Sequence, residues 1–457
     1  MIASRRRFLQ YTAGTSAVLA MSGISRLNLK ALGSVVNDRH FEVVDVKRTT
    51  VRLEFRPTPR RSMDRELPHW RYAELCDVKL KSGITGTGET MLYYTWGVPG
   101  DEDVQRVIGK NAVDLMWDDS LGAGLQMAMF DAVGRTADVP VHSLLGHKVH
   151  DTTPLSWWNI DTSAEDMASE CAEAHRLGYM SYKTKGRPWF DIFRQLELST
   201  KAVPQEFKID MDFNDTLRTA EQGIPILQKL EKYPQVDIYE SPIPQGDVEG
   251  NRKIVDATRV NIAMHYGNPK PAVVVQSGCC HGFVVGGGAT RTTDAGRFCE
   301  QVDMPFWLQL VGAGLTAAFS LQFGGVLKQA RWPAVNCHQL YENDLLTEPI
   351  LLKDGFAAVP DRPGIGYEVN RDVVEKLKIN KPSERPDPER MVATTFADGR
   401  TLYTANTGKV NFMLTAGNEG RYGYFLDGAD SKLVPNDGSE RWRSLYQKSR
   451  EQGPVEE

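Results

Sequence analysis

The stretch "EFKIDMDFNDTLRTAEQGIPILQKLEKYPQVDIYESPIP", residues 206–244, reads as strand, helix, strand. "FKIDMDF" and "VDIYE" are short apolar runs, and "LRTAEQGIPILQKLEKY" between them carries apolar residues at three- and four-residue spacing. The same unit repeats outward in both directions. Upstream, "TPLSWWNI" precedes the helical "SAEDMASECAEAHRLG", and "YMSYKTKG" precedes "PWFDIFRQLELSTKAV"; downstream, "VNIAMHYG", "HGFVVGGG" and "PFWLQLVG" continue the series. Alternation of this kind gives parallel strands with crossover helices. At least seven units in one run favour a (β/α)8 barrel over an open sheet, which places the chemistry at the C-terminal ends of the strands.

The rest of the chain surrounds this core. With 457 residues, 41% hydrophobic and 25% charged, it is a soluble globular protein of two domains, or one barrel with additions. A net charge of −5, with no basic run beyond the first residues, argues against nucleic acid as a partner. "SRRRFLQ", followed by the apolar run "YTAGTSAVLAMSG", has the layout of a twin-arginine export signal. A periplasmic or otherwise exported protein is therefore expected, with no stable membrane span once the signal is removed. Six scattered cysteines, Cys76, Cys171, Cys279, Cys280, Cys299 and Cys337, lack metal or disulfide-framework spacing and are expected as buried free thiols.

Read in order, the strand ends present Trp157, Trp158 and Asn159 on the first, Lys183 and Lys185 on the second, Asp212 with Asn214 on the third, Glu240 on the fourth and His265 on the fifth. Asp212, Glu240 and His265 are one β/α unit apart, so adjacent units bring them to one mouth. Two carboxylates and an imidazole suit a divalent cation: Mg²⁺ by the carboxylates, with Mn²⁺ or another first-row metal left open by the imidazole. The lysine pair needs its own account. An ordinary lysine costs about 4.6 kcal/mol to deprotonate at pH 7, and a second ammonium two residues away, with a dication nearby, favours the neutral form. One lysine can then act as a base, and the other as its tuner or as a partner to substrate oxygens.

"YKTKG", "DMDFN", "YESPIP" and "GGGATRTTDAGR" stand in an order and spacing that resembles the enolase superfamily, in its mandelate racemase and muconate lactonizing branch. "FDAVGRTADVPVHSLLGHKVHD" resembles that branch's link from capping domain to barrel, and "VPDRPGIGYEVN" its C-terminal return. The resemblance covers roughly residues 42–375 and implies an α/β fold, a (β/α)8-type barrel closed by an N-terminal α+β capping domain. On this reading the chain divides into a signal region (1–35), capping domain (42–150), barrel (151–345), return to the capping domain (346–380) and C-terminal extension (381–457). The resemblance further implies metal-assisted removal of a proton beside a carboxylate, through an enediolate. Carried over by position, Asp212 and Glu240 match metal ligands and Lys185 the base, with Lys183 beside it.

This chain departs from the pattern in three places. His265 stands where a third carboxylate is usual, Val284 and Val285 occupy the sixth strand end, and Gln309 the seventh. No second base faces the lysines, so a one-base reaction is expected: a lyase, in particular a dehydratase, of a carboxylated sugar or related hydroxy acid. A cycloisomerase, an epimerase and a non-catalytic ligand-binding relative are the competing readings. Asn214, Trp158, Asn159 and Gln309 are the candidate contacts to a small-molecule carboxylate substrate, "GETMLYYTWG" a candidate lid, and His281, His338 and Tyr341 the candidate acids. The last 75 or so residues read as extended strands with turns that cover one end of the barrel or make contacts in a homo-oligomer.

Overall fold

The computed structural model of the chain describes residues 38–94 and 97–457. The export signal read over residues 1–35 lies outside the described residues, as do Thr95 and Trp96 of the candidate lid.

The first domain is an antiparallel meander, β1 (Val43–Arg52), β2 (Tyr72–Leu80) and β3 (Thr85–Met91), with helix α1 (Pro57–Glu66) between the first two strands. Helix α2 (Ala123–Ala137), buried along nearly its whole length, lies across β2 and β3. The alternating glycines of "TGTGET" permit this approach: a Cβ on Gly88 would stand 2.0 Å from the carbonyl oxygen of Gly124, and one on Gly86 2.1 Å from the amide of Ala132. Side chains there would hold the helix off the sheet.

The barrel follows, built from β4 (Thr152–Trp158), β5 (Ser181–Lys185), β6 (Lys208–Asp212), β7 (Val236–Glu240), β8 (Asn261–His265), β9 (Gly282–Val285), β10 (Phe306–Leu308) and β11 (Ala334–Val335). Strands β4 to β10 pair in sequence, all parallel, and β11 pairs parallel with β4. The turn is drawn closed where the Phe306 amide donates to Gln329 O at 2.9 Å and the Trp332 amide to Phe306 O at 3.2 Å. Seven helices alternate with the strands: α3 (Ala164–Arg176), α4 (Ile192–Ala202), α5 (Ala220–Leu230), α6 (Val248–Ala257), α7 (Pro271–Ser277), α8 (Ala289–Val302) and α9 (Gly314–Val326). The first four begin at Ser163, Asp191, Thr219 and Asp247, whose side chains accept backbone N–H groups of the opening turn. Such caps fix where each crossover turns, and hence where each strand ends.

After the barrel, a hairpin of β12 (Leu352–Lys353) and β13 (Phe356–Ala358) pairs with the start of β4. The chain then returns to the first domain, where the Ile379 amide donates to Thr50 O at 2.9 Å. The extension forms a separate antiparallel sheet, β14 (Met391–Thr395), β15 (Thr401–Ala405), β16 (Asp430–Val434) and β17 (Val455–Glu456), with α10 (Glu440–Gln452) against it. Its small core takes Trp189 and Phe190 from the loop after β5 and packs them with Val392, Phe412, Met413 and Tyr422. The Trp189 indole N–H donates to Asp161 Oδ2 at 2.7 Å, and Arg65 of α1 donates to the same carboxylate oxygen at 2.8 Å and to Ser431 O at 3.3 Å. The extension is thus tied to the loop leaving β5 and to the first domain. All six cysteines are buried and unbridged. Among the described residues, no helix is long and apolar enough to cross a membrane.

Candidate active site

Strand register sets the site. Lys185 on β5 is level with Asp212 on β6, Asp212 with Glu240 on β7, and Glu240 with Ala263 on β8. Lys183 lies two residues before Lys185, on the same side of its strand. His265 lies two residues beyond Ala263, so it is one step further out than the carboxylates rather than level with them. Its ring reaches back, bringing Nε2 to 2.9 Å from Glu240 Oε1, while the side chain stays 45% exposed.

The two like charges on β5 are reconciled by what stands between them. The Lys183 ammonium, buried, pairs with Glu240, lies 3.7 Å from Asp212 Oδ2 and donates to Gln309 Oε1 at 3.1 Å. It also sits 5.1 Å above the Trp307 ring. Lys185 pairs with Asp212 and donates to Asn214 Oδ1 at 3.2 Å. Burial lowers the pKa of both amines, but the outcomes diverge. For Lys183, the charges of Glu240 and Asp212 more than offset burial, and its pKa ends above the usual lysine value. For Lys185, burial and the ammonium of Lys183 outweigh Asp212, and its pKa falls below that value. Glu240, despite burial, is held well below the usual carboxylate range by Lys183 and His265. The pair therefore differentiates into one amine held charged and one eased toward neutrality.

The other candidates separate into contact and scaffold. Asn214 Oδ1 also accepts from Arg187 Nη2 at 2.6 Å. Asn159 is fully buried, accepts from Ser62 of α1 at 3.1 Å and finds no partner for its amide nitrogen among the described residues. Trp158 stacks on Trp70 of the first domain at 5.2 Å, and Trp70 packs against Tyr94 at 4.3 Å. Trp157 points the opposite way, donating to Glu170 of α3 at 2.9 Å. His281 accepts the Ile262 amide at 2.9 Å, and Tyr341 donates to Trp70 O at 2.8 Å. His338 lies 3.2 Å from the Tyr179 hydroxyl, its pKa pulled down by burial to about 4. These three are scaffold contacts.

Three site features escaped the sequence. Asp215 is raised to about 6, first by burial and then by the neighbouring charge of Asp212. Asn214, Asp215 and Ser241, directly after β6 and β7, all adopt positive φ (43°, 71° and 44°); strain of this kind concentrates at functional sites. Neither feature has a residue-type signature, since both arise from how the strand ends turn. The third is a cavity of about 310 Å³ beside Gln309, lined in part by Tyr94, Met127 and Phe319. A more open concavity of about 430 Å³, bounded by Arg135, Arg362 and Glu368, shares no residue with the strand ends.

Among the described residues, no group of three His, Cys, Asp or Glu side chains is drawn together as a metal cluster. The amines of Lys183 and Lys185 contact the carboxylates expected to serve as ligands. The donor set nevertheless suits a small dication. Glu240 and Asp212 present buried carboxylates that are paired with the amines of Lys183 and Lys185, with the His265 ring 2.9 Å from Glu240, and oxygen donors of this kind fit a hard divalent cation.

Comparison with known proteins accords with this geometry. Residues 166–373 match the family model described as enolase C-terminal domain-like. The chain is 24% identical over 276 residues to an arabinonate dehydratase of Saccharolobus solfataricus, covering 56% of this chain and 71% of that enzyme. It is 23% identical over 352 residues to muconate cycloisomerase 1 of Rhodococcus opacus, covering 67% and 91%. Among solved structures, N-succinyl Arg/Lys racemase from Bacillus cereus superposes with a TM-score of 0.60 at 17% identity, over 74% of this chain and 98% of that one. Members of this superfamily generally bind a divalent metal, usually Mg²⁺. Residues 166–373 thus match an enolase C-terminal domain-like family, the fold is that of solved structures from the same group, and the similar proteins are dehydratases, cycloisomerases and racemases, consistent with an enzyme.

Proposed function

We propose that the chain removes the α-proton of a carboxylate-bearing hydroxy acid and eliminates water from it. The observation that carries this reading is the split between two amines on one strand, Lys183 held charged by Glu240 and Asp212, and Lys185 eased toward neutrality. Neutral Lys185 takes the proton from the carbon beside the carboxylate, and the electron pair left behind moves into the carboxylate as an enediolate. Charged Lys183, fixed by Glu240 and Gln309, is a preorganised cation for the developing negative charge. Asp212, Glu240 and His265 are the residues that would hold a divalent cation, which when bound supplies further Lewis-acid charge for the substrate carboxylate. As the enediolate collapses, the β-carbon–oxygen bond breaks, and Lys185, now protonated, returns its proton to the departing hydroxide as water. One base thus serves both steps.

Elimination is further supported by the relatives: an arabinonate dehydratase, a D-gluconate dehydratase and a D-xylonate dehydratase are among those the chain resembles. Incubation of the protein with Mg²⁺ or Mn²⁺ and a panel of hydroxy acids in D₂O, followed by NMR, tests the reading. Deuterium at the α-carbon of at least one acid is the expected result; a panel that retains its α-protons throughout would sink it.

A further inference from the structure

We propose that the substrate carries an apolar substituent of about ring size on the far side of its α-carbon, and not the polyhydroxylated chain of an acid sugar. The proposal rests on the reading that Lys185 attacks an α-proton, because Gln309 ties the two places together. Its side chain accepts from Lys183 at 3.1 Å and also lines the cavity of about 310 Å³ between the first domain and the barrel. A carboxylate held at the lysines therefore directs the remainder of the molecule past Gln309 into that cavity.

The cavity's walls decide what fits. Ala123 and Met127 come from α2, Leu310 and Val311 from the segment after β10, and Phe319 from α9. Among the described residues, the polar side chains on its lining are few and partly occupied. Gln309 Oε1 is taken by Lys183, and the Thr316 hydroxyl donates to Glu89 Oε1 at 2.8 Å. Tyr94, 43% exposed, supplies a phenol at the cavity's edge. A chain with a hydroxyl on every carbon needs a partner for each, and would here bury several without one. An apolar group loses nothing in the same place. Size agrees, since a cavity of about 150 Å³ lined by aliphatic and aromatic side chains holds a benzene molecule. Twice that volume takes a ring with the carbons that link it to a carboxylate.

The test compares 3-phenyllactate, lactate and D-gluconate as probes for α-proton exchange in D₂O with the Mg²⁺-loaded full chain, in the parent and in Ala123→Leu. In the parent, 3-phenyllactate is expected to exchange with a KM at least tenfold below those of lactate and D-gluconate. Ala123→Leu fills the cavity and is expected to raise the KM for 3-phenyllactate at least tenfold more than that for lactate. Val311→Phe narrows the same space from the barrel side and must give the same split, so a folding failure of one variant leaves the other to decide. A lower KM for D-gluconate than for 3-phenyllactate overturns the proposal, as does an equal effect of the variants on both smaller acids. If none of the three acids exchanges, the proton-abstraction reading loses its support. The cavity is then judged by calorimetric titration with 3-phenyllactate: binding to the parent that the variants abolish upholds it, and no binding to the parent overturns it.

Discussion

Replacement of Glu89 by Gln should change how the stability of this protein depends on pH. Glu89 lies on β3 of the first domain, almost fully buried, where Oε1 accepts from the Ala313 amide and the Thr316 hydroxyl at the start of α9, and Oε2 has no partner among the described residues. A helix N-terminus favours an anion by up to about 2 kcal/mol, yet burial prevails over these donors and raises the carboxyl from 4.5 to about 7. With the folded pKa above the unfolded one, the folded state binds the extra proton between those values. Stability from this group is therefore lost as pH rises from about 4.5 to 7, and the loss persists above. A carboxyl that ionises at about 7 folded and 4.5 unfolded loses about 2–3 kcal/mol of folding free energy between pH 5 and pH 8. Glutamine cannot titrate. Urea unfolding of parent and Glu89→Gln at pH 5, 6, 7 and 8 should show the parent losing about 2–3 kcal/mol relative to the variant across that range, whatever constant cost the amide adds. A difference that stays constant to within about 0.5 kcal/mol would refute the reasoning.

Three other outcomes follow from the same structure. Asp212→Ala and Glu240→Ala should each weaken Mn²⁺ binding at least about tenfold without unfolding the chain, and His265→Asn should weaken it less, because its ring stands one step outside the carboxylates; metal titration of the purified variants checks all three. Gly88→Ala places a Cβ 2.0 Å from the Gly124 carbonyl oxygen and should destabilise by about 3 kcal/mol or more, read by denaturant unfolding. Trp189→Ala removes the side chain that joins the extension's core to Asp161 and should cost about 3–5 kcal/mol and expose residues 381–457 to limited proteolysis; an unchanged cleavage pattern would mean that the extension is anchored elsewhere.

What the chain disclosed before folding depended on how local each signal was. Strands β4 to β10 were legible because each is a short apolar run in one series, and the first three are followed by stretches of helical periodicity. The eighth strand was not, since Ala334–Val335 is too short to carry any pattern and exists by pairing with β4. Lys183, Lys185, Asp212 and Glu240 could be read at one mouth because counting β/α units places strand ends. That count has an uncertainty of a step, which is why His265 stands one pleat further out than the spacing implied. Glu89 acquires its property from burial against Ala313 and Thr316, far away in sequence, and no local window contains that information. The same holds for Trp189 and Phe190, which look like ordinary apolar residues after a strand and become the bridge to an extension some 200 residues later.

The central claim is that Lys185 is the base that removes the α-proton. Asp212 and Asn214 hold its amine at the mouth, and burial together with Lys183 lowers its pKa. The direct test is the rate of α-proton exchange in D₂O for Lys185→Ala beside the parent, with bound cation measured in both. Loss of exchange by at least about 100-fold, with the cation retained, is the result this account predicts; exchange at the parent's rate would contradict it.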